Sequence, residues 1–376
     1  PPPLAIAAAG PEAVEAVRNA SMRCGGCGSK VGAGVLRRVL GRLGVGGGDG
    51  GYGGLDDAAV MMPPSEPGAV TVHTVDFFRS FVTDPYVFGR IAANHALSDV
   101  HAMGADATTA LAIATIPFGG EAQVEGTLEQ LLAGALRTLR EAGCALVGGH
   151  TCEGAEVALG LSVNGVAGGG VRSLLGKGGA SVGDALVLTK AVGTGAILAA
   201  EMRGRATSPW VQSAVCSMLQ SNAPAASILR DHGARACTDV TGFGVAGHLA
   251  EMLRAAPLRP LSDEATTPPS ANGDGARVGV VVRLGAEETP ACAPATPSSI
   301  AAELSLDALP VLEGAVEVVE AGIVSTLQGQ NERDNAAAVV FGTLLDAKAG
   351  AGAGRSDARF RLLFDPQVGS SLVWFQ

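Results

Sequence analysis

Cys27-Gly28-Ser29-Lys30 sets a nucleophile three residues from an ammonium on a glycine-rich segment. A nearby cation lowers a thiol's pKa, and the thiolate is its reactive form. Gly25, Gly26 and Gly28 let such a segment fold over a site and open again. Lysine is scarce in this chain: Lys30, Lys177, Lys190 and Lys348 are the only four, so one beside a cysteine stands out. Cys24-Gly-Gly-Cys27 also has zinc-ligand spacing, but no second Cys or His pair lies close by to complete a structural zinc site.

The carboxylates form a second set. Asp56-Asp57 follows the glycine-dense stretch 44–54, and Asp76 ends a Val/Thr-rich strand expected over 69–75. Asp99 lies on a helix opening at Asp84-Pro85, and Asp239 stands between a strand and the glycine turn of Thr238-Asp-Val-Thr-Gly-Phe-Gly244. Magnesium is held by one or two carboxylates plus phosphate oxygens and water, and acids at strand and loop ends suit it. Any one of these acids is more often a helix cap or a solvated surface group. Asp57, Asp76, Asp99 and Asp239 together point to magnesium against phosphate. Gly148-Gly149-His150-Thr151 follows a short buried strand at 144–147, where backbone N–H groups can approach a phosphate; a plain tight turn with a satisfied histidine is the other reading.

Two motifs fail. Gly170…Gly176-Lys177 has one residue too many for a P-loop and Gly178 where Ser or Thr would meet the metal. The 44–54 stretch contains G-x-G spacings by abundance alone and opens no helix. His95 and Asp99 are four apart on one helix, a common surface spacing that does not by itself make a metal site.

The elements that position these residues read as α/β. A helix starts near Val31, a buried strand spans 107–116, an amphipathic helix 124–142, and a strand 157–166. After Gly168-Gly169-Gly170 a second series begins: strand 185–189, helix 195–202, two helices within 209–232, strand 234–237 and helix 245–253. Residues 255–299 read as a solvated low-complexity insertion, and 360–364 as a strand. The expected domains are a leader at 1–30, an N-terminal domain at 31–170 and a C-terminal domain at 171–376 that stops short.

With 47% hydrophobic and 16% charged residues, the 376-residue chain is globular and long enough for two cores. A formal net charge of −10 argues against a nucleic-acid groove and makes metal ions necessary for a polyanionic substrate. Seven scattered cysteines argue against a disulfide framework and for a reducing, cytoplasmic setting, with an organelle left open. No apolar run reaches membrane-span length.

In order, these segments resemble the selenophosphate synthetases (selenide, water dikinases). The resemblance rests on C-G-S-K at 27–30, D-D-A-A-V at 56–60, V-D-F-F at 75–78 and D-P-Y-V-F-G-R-I-A-A-N-H-A-L-S-D at 84–99. It continues through A-M-G at 102–104, G-G-H at 148–150 and T-D-V-T-G-F-G-V-A-G-H-L at 238–249, in register from Arg23 to Pro366. It implies the two-domain fold of aminoimidazole-ribonucleotide synthetase (PurM-like), α/β in class, with a mobile glycine-rich N-terminal segment and N-terminal domains paired in a homodimer. The implied reaction is ATP + selenide + water giving selenophosphate, AMP and phosphate, with Mg2+. Carried residue by residue, Cys27 and Lys30 are the essential leader residues, and Asp57, Asp99 and Asp239 hold magnesium. Lys30, Gly54, Leu55, Asp56, Asp76, Asp99, Gly148, Gly149 and His150 are the nucleotide contacts. Partners implied are ATP and selenide, with no nucleic acid and no membrane.

Departures are visible. Ser29 stands where many members have a second cysteine, and Val368-Gly-Ser-Ser371 replaces the usual T-S-G-G after Asp365-Pro-Gln. The leader ending in M-R-C-G-G-C-G resembles members fused behind a pyridine-nucleotide disulfide oxidoreductase. Same-fold alternatives are a thiamine-monophosphate kinase or an aminoimidazole-ribonucleotide synthetase, neither of which carries a C-G-x-K leader, and an ATP-binding homologue without selenide chemistry.

Overall fold

The computed structural model describes residues 33–44, 65–181, 183–256, 278–282, 302–335, 339–343, 357–368 and 371–375. Two compact units emerge. The first runs through Leu174, and the second takes the short Ala102–Gly104 segment and the chain from Leu175 onward.

In the first unit α1 (Ala33–Leu43) is followed by β1 (Val70–Arg79), α2 (Pro85–Ala102), β2 (Asp106–Pro117), α3 (Glu121–Glu141), β3 (Ala145–Gly154) and β4 (Ala158–Ala167). The sheet order is β1-β4-β2-β3; β4 is antiparallel to both β1 and β2, and β3 is parallel to β2 across the α3 crossover. Helix α2 begins as expected: Asp84 Oδ1 accepts from Tyr86 N at 2.8 Å and Val87 N at 3.1 Å, satisfying first-turn amides beside Pro85. Phe88, Leu97 and Val100 of α2 pack with Leu128, Leu131 and Leu139 of α3 in one buried core. Glycines let the two helices approach. A Cβ on Gly89 would lie 2.1 Å from Leu131 O, and one on Gly134 would lie 2.0 Å from Tyr86 O.

Two expectations in this unit are corrected. β1 does not end at Asp76 but continues to Arg79, paired residue for residue with β4, so Asp76 is a strand-interior residue. Gly148-Gly149-His150 is not a turn but the middle of β3, paired with Leu111, Ala112 and Ile113 of β2. The glycines serve strand packing there: a Cβ on Gly149 would sit 2.1 Å from Ala112 O.

The second unit contains β5 (Leu186–Leu188), α4 (Thr194–Glu201), α5 (Ser208–Leu219), α6 (Ala223–Asp231), β6 (Ala236–Val240) and α7 (Gly244–Ala255). Next come β7 (Val278–Val282), β8 (Ala302–Ser305), α8 (Ala315–Glu320), α9 (Gln328–Asp334), β9 (Val339–Thr343), α10 (Ala358–Leu362) and β10 (Ser371–Phe375). They form two antiparallel three-stranded sheets, β5-β10-β6 and β8-β7-β9. The supposed low-complexity insertion therefore holds a strand: Val-Gly-Val-Val-Val at 278–282 is the central strand of the second sheet. Residues 360–364 are not a strand either. Asp357 caps α10 by accepting from Arg359 N at 2.7 Å, and Phe360 and Phe364, four apart, meet edge to face at 5.3 Å.

Asp365 is fully buried, and its Oδ2 accepts from Ala196 N at 3.1 Å in the first turn of α4. Gln367 completes the cap: its Oε1 accepts from Gly193 N at 3.0 Å, and its Nε2 donates to Asp365 Oδ2 at 3.1 Å. Burial pushes the Asp365 carboxyl up to about 7, against the pull of those hydrogen bonds. The native state thus holds this proton more tightly than the unfolded chain. Its contribution to stability is fully present below the unfolded carboxyl's pKa of about 3.9 and is lost as pH rises through about 7. Thermal unfolding followed between mildly acidic and mildly alkaline pH should show this decline in the wild type and a flatter profile in Asp365→Asn. Parallel profiles would contradict it.

Candidate active site

One strand face and one helix build the acidic ledge of the first unit. Strand alternation turns Thr74, Asp76 and Phe78 to the same side of β1. Helix α2 meets that side: Thr74 Oγ1 donates to Asp99 at 2.6 Å, and the Phe78 and His95 rings lie 4.6 Å apart. His95 is buried against Phe78, so it is not the exposed surface residue its spacing suggested. Burial, and then the Asp99 charge, push the Asp76 carboxyl up to about 6. Neither carboxylate has an ion-pair partner among the described residues.

A divalent cation fits this ledge, because it would offset the burial and repulsion that now favour the protonated acid. Among the described residues no three His, Cys, Asp or Glu side chains converge into a preformed cage. Magnesium bound through a pair of carboxylates and substrate phosphates needs none.

Strand register places the glycine-histidine segment. Asp76, Leu161, Ala112 and Gly149 form one row across the sheet, and Phe77, Gly160, Ile113 and His150 form the next. Neighbouring rows point to opposite faces. Gly149 therefore shares a row with Asp76 three strands away, whereas His150 belongs to the opposite, open face with Phe77 and Ile113. Phe77 is 53% exposed and Ile113 40%.

Asp239 belongs to the second unit. It lies inside β6, paired with Leu372 of β10, and is 8% exposed. The strand, expected over 234–237, starts at Ala236 and runs three residues further, to Val240. Burial, followed by the Asp239 charge, pushes the neighbouring Cys237 thiol up to about 12, which makes it an inert core cysteine. The turn after Asp239 ends at Gly244 with φ +69°, where a Cβ would also approach Leu363 O at 2.7 Å. Buried side chains hold this turn. Asn331 Nδ2 donates to Gly242 O at 2.8 Å, and Thr241 N donates to His248 Nε2 at 3.1 Å.

Cys27, Lys30, Gly54, Leu55, Asp56 and Asp57 lie outside the described residues. Several supports escaped the sequence reading. Thr74 orients Asp99; Asn331 and His248 grip the turn after Asp239; Lys190 is buried, donates to Gln220 O at 2.6 Å and is lowered to about 8 by desolvation. Only the scarcity of lysine singled out Lys190 beforehand. Nothing in the local sequence marks Thr74 or Asn331.

Comparison with known proteins follows the same two-part division. The "AIR synthase related protein, N-terminal domain" family matches residues 55–169, and its C-terminal-domain counterpart matches 181–270. A selenide, water dikinase of Geobacter metallireducens is 35% identical over 321 residues, covering 85% of this chain and 76% of that one. The chain belongs to the selenide, water dikinase family. A Desulfitobacterium hafniense selenide, water dikinase is 40% identical over 62% of this chain and 67% of its own length. One from Pelobacter propionicus is 41% identical over 53% of this chain, which spans 55% of that relative. Among solved structures, thiamine-monophosphate kinase from Stenotrophomonas maltophilia covers 92% of this chain and 86% of its own at TM-score 0.57 with 19% identity. The Aquifex aeolicus thiamine monophosphate kinase aligns over 81% of this chain and 78% of its own at TM-score 0.50 with 14% identity. These likenesses bear on fold alone, and the fold is the AIR-synthase-like, PurM-like one that the selenide, water dikinase motifs implied.

Proposed function

We propose that the chain makes selenophosphate from ATP, selenide and water, releasing AMP and phosphate. The observation that carries this beyond family membership is the Asp76–Asp99 ledge with Thr74 bonded to Asp99, set on two of the segments that carry the family resemblance. Phosphoryl transfer through a loose transition state needs positioning and charge neutralisation more than covalent chemistry. Mg2+, when bound, supplies Lewis-acid polarisation of phosphate oxygens and neutralises developing charge.

The chain's own residues do the rest. Asp57, Asp99 and Asp239 are assigned to the metal and Asp76 to the nucleotide. Thr74 holds one Asp99 oxygen so that the other keeps its direction. Gly54, Leu55, Asp56, Gly148 and Gly149 are assigned to nucleotide contacts; His150, on the open face of the sheet, is assigned to a nucleotide contact made across the pairing of two copies through that face. Lys30 places a point charge on the phosphates, and Cys27 receives or holds selenium. Their glycine segment excludes water that would otherwise compete with selenide. The setting is cytoplasmic, and no helix among the described residues is long and apolar enough to cross a membrane.

An anaerobic acceptor comparison tests this against a thiamine-monophosphate kinase reading. Selenide should release AMP from ATP, whereas thiamine monophosphate should release no ADP. ADP formation with thiamine monophosphate and indifference to selenide would overturn the proposal.

The working form is a homodimer paired through the open face of the first unit's sheet. Val75, Phe77 and Ile113 are 64%, 53% and 40% exposed there, and an apolar row of this kind is what a second copy would cover. Sedimentation velocity should report a dimer for the wild type and a folded monomer for Phe77→Glu. A wild-type monomer would rule out the pairing.

A further inference from the structure

We infer that His248 is a positioning residue for the metal site, acting through the turn that follows Asp239; this rests on the assignment of Asp239 to magnesium. Thr241 N–H can only donate, so His248 Nε2, 3.1 Å away, must accept. That fixes a neutral imidazole with its proton on Nδ1. Nδ1 lies 3.5 Å from Glu251 Oε2, and Lys177 Nζ is 2.6 Å from that same oxygen. The carboxylate thus favours the Nδ1–H tautomer, and Lys177 anchors the carboxylate.

The arrangement is similar to the way metal sites orient a histidine, with a backbone amide in place of a metal and the Glu251 carboxylate acting on Nδ1 through its charge. His248 is 5% exposed and its ring lies 5.5 Å from that of Phe243, so it cannot swing away without breaking packing. Its hold is complemented from the other side, where Gln367 N donates to Thr241 O at 2.9 Å and Asn331 grips Gly242. Thr241 is therefore fixed at both its amide and its carbonyl, two residues beyond Asp239. Asp239 lies in a strand whose following turn would otherwise be glycine-loose. The relay acts through the backbone of the turn and sets the angle at which the Asp239 carboxylate leaves the strand.

The test measures Mn2+ binding by electron paramagnetic resonance on the full chain with a non-hydrolysable ATP analogue, together with the Mg2+ dependence of turnover. In His248→Phe, Mn2+ affinity should weaken about tenfold, as expected for one lost buried hydrogen bond. The Mg2+ concentration for half-maximal rate should rise in step, with kcat at saturating Mg2+ falling less. His248→Gln offers an amide oxygen near the Nε2 position and should recover most of the loss. Glu251→Gln, which leaves the core intact, should weaken Mn2+ by about threefold.

A folded His248→Phe with wild-type Mn2+ affinity overturns the inference, and so does His248→Gln as weak as His248→Phe. Should His248→Phe not fold, unchanged affinity in Glu251→Gln has the same force. Asp239→Asn separates the two levels: wild-type Mn2+ affinity there would sink the metal assignment itself.

Discussion

Asp99→Asn should cost turnover a factor on the order of 10^2 to 10^3 while leaving the first unit folded, the range seen when one preorganised electrostatic group is removed from a reacting centre. Asn is nearly isosteric with Asp and can still accept from Thr74 Oγ1, now at 2.6 Å, so packing between α2 and β1 survives. What disappears is a charge. Two consequences separate this from misfolding. The unfolding temperature without ligands should hold or rise, because the repulsion that helps drive Asp76 up to about 6 is gone. Stabilisation by Mg2+ with an ATP analogue should shrink, since only the native state binds them. Full activity in Asp99→Asn would remove the ledge from the mechanism.

Lys30→Ala should lower kcat/KM with ATP by on the order of 10^2 or more, with Lys30→Arg recovering part of it. The reasoning is electrostatic. The chain carries a formal net charge of −10, so a triphosphate approaching acidic ligands needs every nearby cation. Among the described lysines, Lys177 is paired with Glu251 and Lys190 is buried beside Gln220, leaving neither available as a mobile phosphate-binding cation. Raising Mg2+ should compensate only partly for Lys30→Ala, because a metal held by carboxylates does not replace an ammonium placed directly on the phosphates. Complete rescue by Mg2+ would show that Lys30 merely helps recruit metal. Steady-state kinetics across a Mg2+ series checks both points.

Much of the scaffold was legible because its signals are local. Asp84-Pro85 announces α2 through cap and ring chemistry, and α3 follows from apolar spacing closed by Gly143. Where a long-range partner decided the outcome, local reading failed. Gly148 and Gly149 look like a turn, yet β2 alongside makes them a strand in which Gly149 is required by Ala112 O. The Val-rich run at 278–282 sits in a stretch rich in Ala, Pro, Thr and Gly, but pairing with β8 and β9 makes it a central strand. Phe360 and Phe364 suit a strand equally well until Asp357 caps a helix around them.

The site divides in the same way. Asp76 and Asp99 were marked by motif, and the structure supplies what the motif does not contain: their shared ledge and the Thr74 bond. His150 was grouped with those acids by motif, but strand alternation sends it to the other face of the sheet. The grip of His248 and Asn331 on the Thr241–Gly244 turn depends on residues up to 89 positions apart in sequence. No spacing rule reaches that far.

Anaerobic phosphorus NMR of ATP turnover, with and without selenide, for the wild type and Cys27→Ala tests selenophosphate formation itself. Selenophosphate and AMP should form in equal amounts from the wild type with selenide, and selenophosphate should be lost in Cys27→Ala. ADP as the final product, unaffected by selenide or by Cys27, would contradict it.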